Sequence, residues 1–464
     1  MAVSNAFDDR DGLSRRDLLK SAALVGAALG ASGAMYPAVA ESVTAGTHPD
    51  LAPPTPAGAK TMKGVPFERH HETVRIAIVG TGLRGRSVLH DFLGCPGVKI
   101  TALCDNVPEK AQRAAKMVTD AGQSAPALYT DGDRAFEQLV QRDDIDFIHT
   151  ATPWEWHVPV MLAALKAGKH VASECPFGMT LKELWDVVDA SEKYRRHCLQ
   201  LENCNYGYNE MLVNRMVHAG VFGEPLHGAA AYLHDLRGIV FEDKDEGLWR
   251  RRWHTTTNAN LYPTHGLGPV AWYLDIHKGD KFDYMVSMST EERGLTLYRE
   301  ETVKDKSNPK WQETYVTGDL NSSLIRTVLG RTILLQHDVS NPRPYSRLNA
   351  LQGTKGIFED YPARIYVEGQ AGGERWGSID TWKAKFEDPL WTQLGQAARN
   401  SGHGGMDYIM AWRTVQCLRE GLVPDIDVYD SAAWSAPFPL SEISVSKGSA
   451  PVKFPDFTRG NWQK

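Results

Sequence analysis

Six residues, Gly80-Thr81-Gly82-Leu83-Arg84-Gly85, constrain this chain more than any others. They follow the short β-branched run Val74–Val79 and open a helical pattern over Arg84–Leu93. In such a strand–turn–helix unit each glycine has a physical task. Gly80 permits the tight turn, Gly82 lets backbone approach a pyrophosphate, and Gly85 lets helix and strand pack closely. Free N–H groups at the helix start then face the phosphates. Asp105 ends a second strand 25 residues after Gly80. Its carboxylate is spaced to accept hydrogen bonds from an adenosine ribose and to repel a 2′-phosphate. The expected cofactor is therefore NAD rather than NADP. A glycine-rich turn beside a surface aspartate is the bland alternative, and the strand–turn–helix–strand context argues against it.

The alternation continues. Ile100–Cys104 reads as a strand and Pro108–Ala121 as a helix with Pro at its start. Asp133–Val140 reads as a helix capped by Asp133, and Phe147–Thr150 as a strand. Val158–Ala167 reads as a helix closed by Gly168. His170–Ser173 is a strand, Leu181–Tyr194 a helix and Leu199–Glu202 a strand. This is the pattern of a doubly wound parallel sheet, a Rossmann fold over residues 73–204. After Asn205 the rhythm changes to alternating stretches, such as Tyr284–Thr290 and Arg326–His337, joined by turn-rich segments such as Asn341-Pro342-Arg343-Pro344. Residues 205–464 are expected to form an α+β domain on a mostly antiparallel sheet, with Met406–Glu420 a late helix and the tail packing back.

The N-terminus carries Ser14-Arg15-Arg16-Asp17-Leu18-Leu19-Lys20, an uncharged Ala/Gly-rich run from Ser21 to Met35, and Ala38-Val39-Ala40. In that order they read as a twin-arginine export signal cleaved after Ala40, implying a bacterial source, the twin-arginine export machinery as a partner and a periplasmic destination. The run is short for a membrane anchor, which needs about 20 apolar residues. Residues 41–72, centred on Pro53-Pro54-Thr55-Pro56, read as an extended linker. Export poses a chemical question, because NAD is abundant only inside cells. An exported enzyme that consumed it at each turnover would stall, so the chemistry must return its cofactor to the starting state.

The net charge of −6 gives no electrostatic footprint for nucleic acid. Thirteen Trp and sixteen Tyr offer faces for sugar rings, although most buried aromatics are simply core. The six cysteines make neither a C-x-x-C pair nor a zinc spacing, so free, mostly buried thiols and no metal are expected.

Two further motifs follow strands: Thr152-Pro153-Trp154-Glu155-Trp156-His157 and Glu174-Cys175-Pro176. Strand C-terminal ends are where open α/β sheets bind ligands. The second motif resembles the Gfo/Idh/MocA oxidoreductase-like superfamily, whose dehydrogenases usually carry Glu-Lys-Pro there with the lysine in proton transfer. Cys175 in that slot counts against an ordinary sugar or polyol dehydrogenase. Together with Tyr262-Pro263-Thr264-His265-Gly266-Leu267-Gly268-Pro269, the motifs resemble glycoside hydrolase family 109, the NAD-dependent α-N-acetylgalactosaminidases. The resemblance covers essentially the whole mature chain.

That resemblance implies that Leu83, Arg84, Asp105, the Trp154–His157 stretch with Glu155 and Trp156, Glu174, Cys175 and Asn203 contact NAD. It implies that Tyr232, Arg251 and Tyr345 hold the sugar, and that Tyr262, Pro263, Thr264 and His265 border both. Core packing is the bland reading for each tyrosine, a solvated basic run for Arg251 and a helix-cap role for His265. The implied reaction is redox-neutral: oxidation at sugar C3, elimination across C1–C2, addition of water and reduction. His265 is the candidate base for the 3-hydroxyl. Tyr206 is a second candidate for proton transfer, and roles among His265, Tyr206 and Tyr262 stay open. The rivals are an exported sugar oxidoreductase with tightly bound nicotinamide and a non-catalytic NAD sensor. An open sheet also leaves a face for pairing with a second copy.

Overall fold

The computed structural model describes residues 53–69, 72–370 and 373–463. The twin-arginine segment, the cleavage site and the first part of the linker lie outside the described residues.

Six parallel strands form the first sheet: β1 (Val74–Val79), β2 (Val98–Cys104), β3 (Ala127–Tyr129), β4 (Phe147–Thr150), β5 (His170–Ser173) and β6 (Cys198–Gln200). Their order is β3-β2-β1-β4-β5-β6, all parallel. β4 and β5 are buried along their whole length, as strands covered on both faces must be. The order reverses between β1 and β4, which opens a crevice at the carboxyl ends of the strands. The helices α1 (Leu83–Leu93), α2 (Pro108–Asp120), α3 (Trp154–Lys166) and α4 (Leu181–Tyr194) connect them. α4 begins with a reciprocal cap: Thr180 Oγ1 accepts from the Glu183 N–H, and the Glu183 carboxylate accepts from the Thr180 N–H.

Three local expectations change. Asp133 caps no helix; its carboxylate accepts from Asn106 (2.7 Å), and the short helix there is only Phe136–Leu139. α3 starts at Trp154 rather than Val158. Pro159 sits inside it, where a proline denies one hydrogen bond to the carbonyl four residues back but keeps a helical φ. The stretch Arg326–His337 is a hairpin, β9 (Asn321–Thr327) and β10 (Thr332–Asp338), turned at Gly330 with φ +88°.

The second sheet has eight strands in the order β13-β12-β11-β7-β10-β9-β8-β14, antiparallel except for β7 (Pro225–Leu233) beside β10. The others are β8 (Phe282–Ser289), β11 (Ala350–Gly353), β12 (Gly356–Glu359), β13 (Arg364–Val367) and β14 (Val452–Lys453). One helix, α5 (Thr264–Tyr273), is wedged between this sheet and the end of the first. A Cβ on Gly266 would lie 2.2 Å from the Ala231 nitrogen of β7. A Cβ on Gly268 would lie 2.3 Å from Asn205 Oδ1 and 3.2 Å from Glu202 Cγ, just beyond β6. The late helices α6 (Met406–Glu420) and α7 (Val428–Ser435) return to the first sheet. Ser431 on α7 accepts from the Gln200 N–H of β6 (2.9 Å). Residues 60–69 strap across the same region. Lys63 pairs with Asp427 (3.0 Å), and the Tyr429 hydroxyl accepts from the Met62 N–H (2.8 Å).

Three buried histidines are held neutral. Burial, then Arg195 and Arg196, take His197 down to about 4. Burial and Arg250 take His254 to about 3, and burial, His254 and Arg250 take His337 to about 3. Their folded pKa values lie below the unfolded one near 6.5, so the unfolded chain binds more protons between those limits. Stability should therefore fall as pH drops below about 6.5, by up to about 1.4 kcal/mol per pH unit per histidine. Urea midpoints at pH 7 and pH 4.5 check this; equal midpoints would contradict it.

Candidate active site

A cavity of about 570 Å³ follows the carboxyl ends of β1, β2, β4 and β5 and continues under β7 and α5. Its first chamber is the glycine turn. Gly80 has φ +84°, and a Cβ there would lie 2.7 Å from Ala151 O; one on Gly85 would lie 1.9 Å from Gly80 O. A Cβ on Gly82 would meet nothing within 4 Å, so that residue faces open cleft. Asp105 Oδ2 accepts from the Thr81 N–H (2.8 Å) and hydroxyl (3.1 Å), tying the turn to the end of β2. Leu83 is 55% exposed on the cavity wall, an apolar face with no protein partner to cover it.

Arg84 is fixed between two carboxylates, with Nε 3.0 Å from Glu174 Oε1 and Nη1 2.7 Å from Asp407 Oδ2. Asp407, on α6, also accepts from Asn203 (2.6 Å) and from His403 Nδ1 (2.8 Å). Burial opposes the charge of Glu174, but Arg84 and His149 outweigh it and hold the carboxyl below its usual range. Asp407 is likewise depressed against burial, by Arg84 and His403. Arg84 thus braces the floor of the cleft with its charge already matched. His157 is buried at the start of α3 with its nitrogens 2.7 Å from Pro176 O and 3.0 Å from Thr152 O.

The second chamber is aromatic. Trp154 stacks on Tyr262 (5.9 Å between ring centroids, 27°), Tyr262 packs on Tyr232 (4.8 Å), and both tyrosines meet the His265 ring edge-on. Arg250 lies over Trp154 and Tyr262 and pairs with Glu246 (2.9 Å). Burial first, with smaller charge effects, pushes the Tyr232 phenol up to about 12 and raises Tyr262 well beyond its usual value. Both are therefore hydroxyl groups, not phenolates, near neutral pH.

The chambers meet at Cys175, Glu202 and His265. His265 Nδ1 lies 2.7 Å from Glu202 Oε1, and the Cys175 thiol donates to Glu202 Oε2 (3.2 Å). Burial drives the Cys175 thiol far up, reinforced by Glu202 and Glu174. Burial also opposes Glu202, but His265, Thr264 and Cys175 bring it down to about 2. One ligand atom from each of the three lies within 4.8 Å of the others, a spacing that would admit a metal ion. With the thiol protonated and donating, the three form a hydrogen-bonded set.

The structure gathers Gly80, Gly82, Leu83, Arg84, Asp105, Trp154, Trp156, His157, Glu174, Cys175, Asn203, Tyr232, Tyr262 and His265 on one cavity wall. It leaves several expected residues off it. Gly85 lies behind the turn against Gly80, and Glu155 faces Arg252 (3.8 Å). Pro263 and Thr264 are buried at the start of α5. Tyr206 donates to Asp425 (3.3 Å) and packs on Trp272, off the cavity wall. Arg251 turns away to Glu313 (2.9 Å) and to the carbonyls of Val240 and Gly247, while its neighbour Arg250 faces the cavity. Tyr345 stands one ring behind Tyr232 (6.1 Å), its hydroxyl accepting from Arg347. Sequence reasoning missed Glu202, Arg250, His234 and His403. Only Glu202 carried a signal, as an acid at the carboxyl end of a parallel strand.

A Rossmann sheet with a glycine cradle, joined to a large mostly antiparallel sheet, defines the two-domain oxidoreductase fold. Residues 74–201 match the oxidoreductase family model with an NAD-binding Rossmann fold. Levoglucosan dehydrogenase in complex with NADH and levoglucosan shares the fold (TM-score 0.65, 17% identity, 83% of this chain and 100% of that one). So does scyllo-inositol dehydrogenase from Lactobacillus casei with bound NAD(H) and scyllo-inositol (TM-score 0.59, 14% identity, 82% and 99%). Residues 206–464 match the C-terminal domain of glycosyl hydrolase 109. Glycosyl hydrolase family 109 proteins of Saccharopolyspora erythraea and Solibacter usitatus are 55% and 51% identical over 97% and 98% of this chain, and over 95% and 99% of their own lengths. The chain belongs to glycoside hydrolase family 109 and takes NAD as cofactor.

Two outcomes follow from the cradle and the arginines. Gly82→Ala should leave thermal stability within about 0.5 kcal/mol of the parent yet weaken NAD binding at least tenfold, whereas Gly85→Ala should cost about 2–4 kcal/mol in folding. Calorimetry and cofactor titration separate the two. Arg250→Ala should raise KM and also destabilise, by about 1–3 kcal/mol, because it strips a partner from Glu246, whereas Arg251→Ala should destabilise by a similar amount through Glu313 and leave KM unchanged.

Proposed function

We propose that this hydrolase removes terminal α-linked N-acetylgalactosamine by a cycle with no net redox change, its NAD retained between turnovers. One observation carries the reading: the glycine cradle and the aromatic chamber are a single cavity whose junction holds a histidine backed by a buried carboxylate. Of the wall carboxylates, Asp105 and Asp133 accept from Thr81 and Asn106 and Asp245 pairs with Lys110, while Glu174 and Glu246 are each held by an arginine, at 3.0 and 2.9 Å. None stands free as one of a pair flanking a scissile bond, the usual glycosidase arrangement.

Bound NAD supplies a reversible hydride acceptor, so that oxidation at sugar C3 is reversed at the end of each cycle. The residues do the rest. His265 takes the proton of the 3-hydroxyl as C3 becomes a ketone. The ketone acidifies the C2 hydrogen; its loss as a proton and departure of the C1 aglycone leave a C1–C2 double bond. Water adds, its oxygen to C1 and a proton to C2, and His265 returns its proton as the hydroxyl is restored. Tyr262, like Tyr232, brings a hydroxyl to this wall, while Tyr206 is turned to Asp425. Trp154, Tyr232 and Tyr262 offer faces to the ring, and Arg250 a cation to its acyl oxygen.

Retention is favoured by the walls. Lys110 of α2 reaches Asp245 across the mouth (3.7 Å). Export through the twin-arginine route would then deliver the folded enzyme with its cofactor to the periplasm. Pairing of two copies through the outer face of the second sheet, where Met288 and Leu324 are exposed, is the assembly that fits.

Purified protein should cleave an aryl α-N-acetylgalactosaminide without added NAD. Substrate deuterated at C2 should release sugar that has lost deuterium to water. Full retention of deuterium would rule out elimination, and a net absorbance change at 340 nm with free sugar would favour an oxidoreductase.

A further inference from the structure

Glu202 is fully buried and off the cavity wall, so it touches neither sugar nor cofactor. It is nonetheless saturated with donors. Oε1 accepts from His265 Nδ1 (2.7 Å) and the Cys204 N–H (3.1 Å), and Oε2 from the Cys175 thiol (3.2 Å) and Gln200 Nε2 (3.3 Å). Four other carboxylates around the cavity have permanent cations, Arg84 for Glu174 and Asp407, Arg250 for Glu246 and Lys110 for Asp245, while Asp105 and Asp133 accept from Thr81 and Asn106. Among the described residues no lysine or arginine pairs with Glu202. Its one ionisable basic partner is His265.

We infer that Glu202 is a positioning residue that locks His265 in its Nδ1–H tautomer, and that Cys175 is the neutral donor which satisfies this carboxylate without cancelling its charge. The inference rests on His265 acting as the base for the sugar hydroxyl. A carboxylate is only an acceptor, so the hydrogen of the neutral imidazole must sit on Nδ1. The lone pair is then on Nε2, which has no partner among the described residues and is the nitrogen left to the cavity. When Nε2 takes a proton, the imidazolium forms beside a buried anion that has no competing cation, the arrangement that stabilises such a charge. Cys175 completes the logic. Its sulfur accepts from Gln200 Nε2 (2.7 Å) and donates to Glu202, and its thiol is uncharged. An ammonium in that position would pair with Glu202 and repel an imidazolium. The remaining groups facing His265 are the phenols of Tyr232 and Tyr262, the imidazole of His234, and Arg250, which pairs with Glu246.

Glu202→Gln offers an amide that can donate to Nδ1 and so favours the Nε2–H form. Nitrogen-15 shifts of His265, assigned by comparison with His265→Gln, should show the Nδ1–H tautomer in the parent and a shift toward Nε2–H in Glu202→Gln. The same variant should lose about 10²- to 10⁴-fold in kcat with KM changed less than threefold, and bind NAD as the parent does. Glu202→Asp should recover part of kcat. Cys175→Ser, whose hydroxyl also donates without charge, should keep the Nδ1–H tautomer, and Cys175→Lys should move the acid limb of the kcat profile to lower pH. An unchanged His265 tautomer in folded Glu202→Gln would overturn the inference. So would a divalent metal bound one-to-one by the parent and lost in Cys175→Ser, which would make the three side chains ligands instead. If Glu202→Gln does not fold, the parent tautomer and the Cys175→Lys profile decide. The nitrogen shifts need no substrate, so they test Glu202 even if the proposed glycosidase reaction fails.

Discussion

Helix α5 touches both sheets, and it can do so only because Gly266 and Gly268 carry no side chains. A methyl group on either would meet backbone of β7 or the side chains just past β6 at 2.2–2.3 Å, far inside van der Waals contact. This close approach sets the rest. It brings the first turn of α5, and with it His265, over the carboxyl end of the Rossmann sheet. Glu202 is therefore within hydrogen-bond distance of a histidine 63 residues away in sequence.

Around that junction the charges are matched locally rather than spread. Arg84 answers Glu174 and Asp407, and Asp407 gathers Asn203 and His403 onto α6. The cleft floor is braced by a helix that lies more than three hundred residues downstream of the glycine turn. Unpaired buried charge is costly, and a matched floor can be rigid before any ligand arrives. Among the described residues, the carboxylate behind the histidine has no permanent cation beside it.

The Rossmann half was legible because its signals are local. Val74–Val79, Phe147–Thr150 and Leu181–Tyr194 are runs with their own stop signals, and the structure places each with those bounds. Where local signals conflict, packing decided. The helix read from Val158 begins at Trp154 and takes Pro159 inside it, because Trp154 is buried in the aromatic chamber. Gly330 hid inside an alternating run and turned it into a hairpin. NAD, the fold and the family were readable from motifs. The partners of Arg84 were not, since one of them is 323 residues away. Nor was the choice between Arg250 and Arg251, which depends on how a seven-residue helix is rotated.

All six cysteines are unpaired and buried. Burial raises every one of their thiols, with Cys104 and Cys417 reaching about 12. Thiolate is the form that reacts with oxidants and attacks disulfides, and this chain offers almost none. Its covalent structure is indifferent to the redox potential around it, in a reducing or an oxidising compartment alike. Cys175 is the exception in consequence. An oxygen added to that sulfur would remove the thiol donor from Glu202 and place an acidic group beside it, so a single oxidation there would be felt at His265.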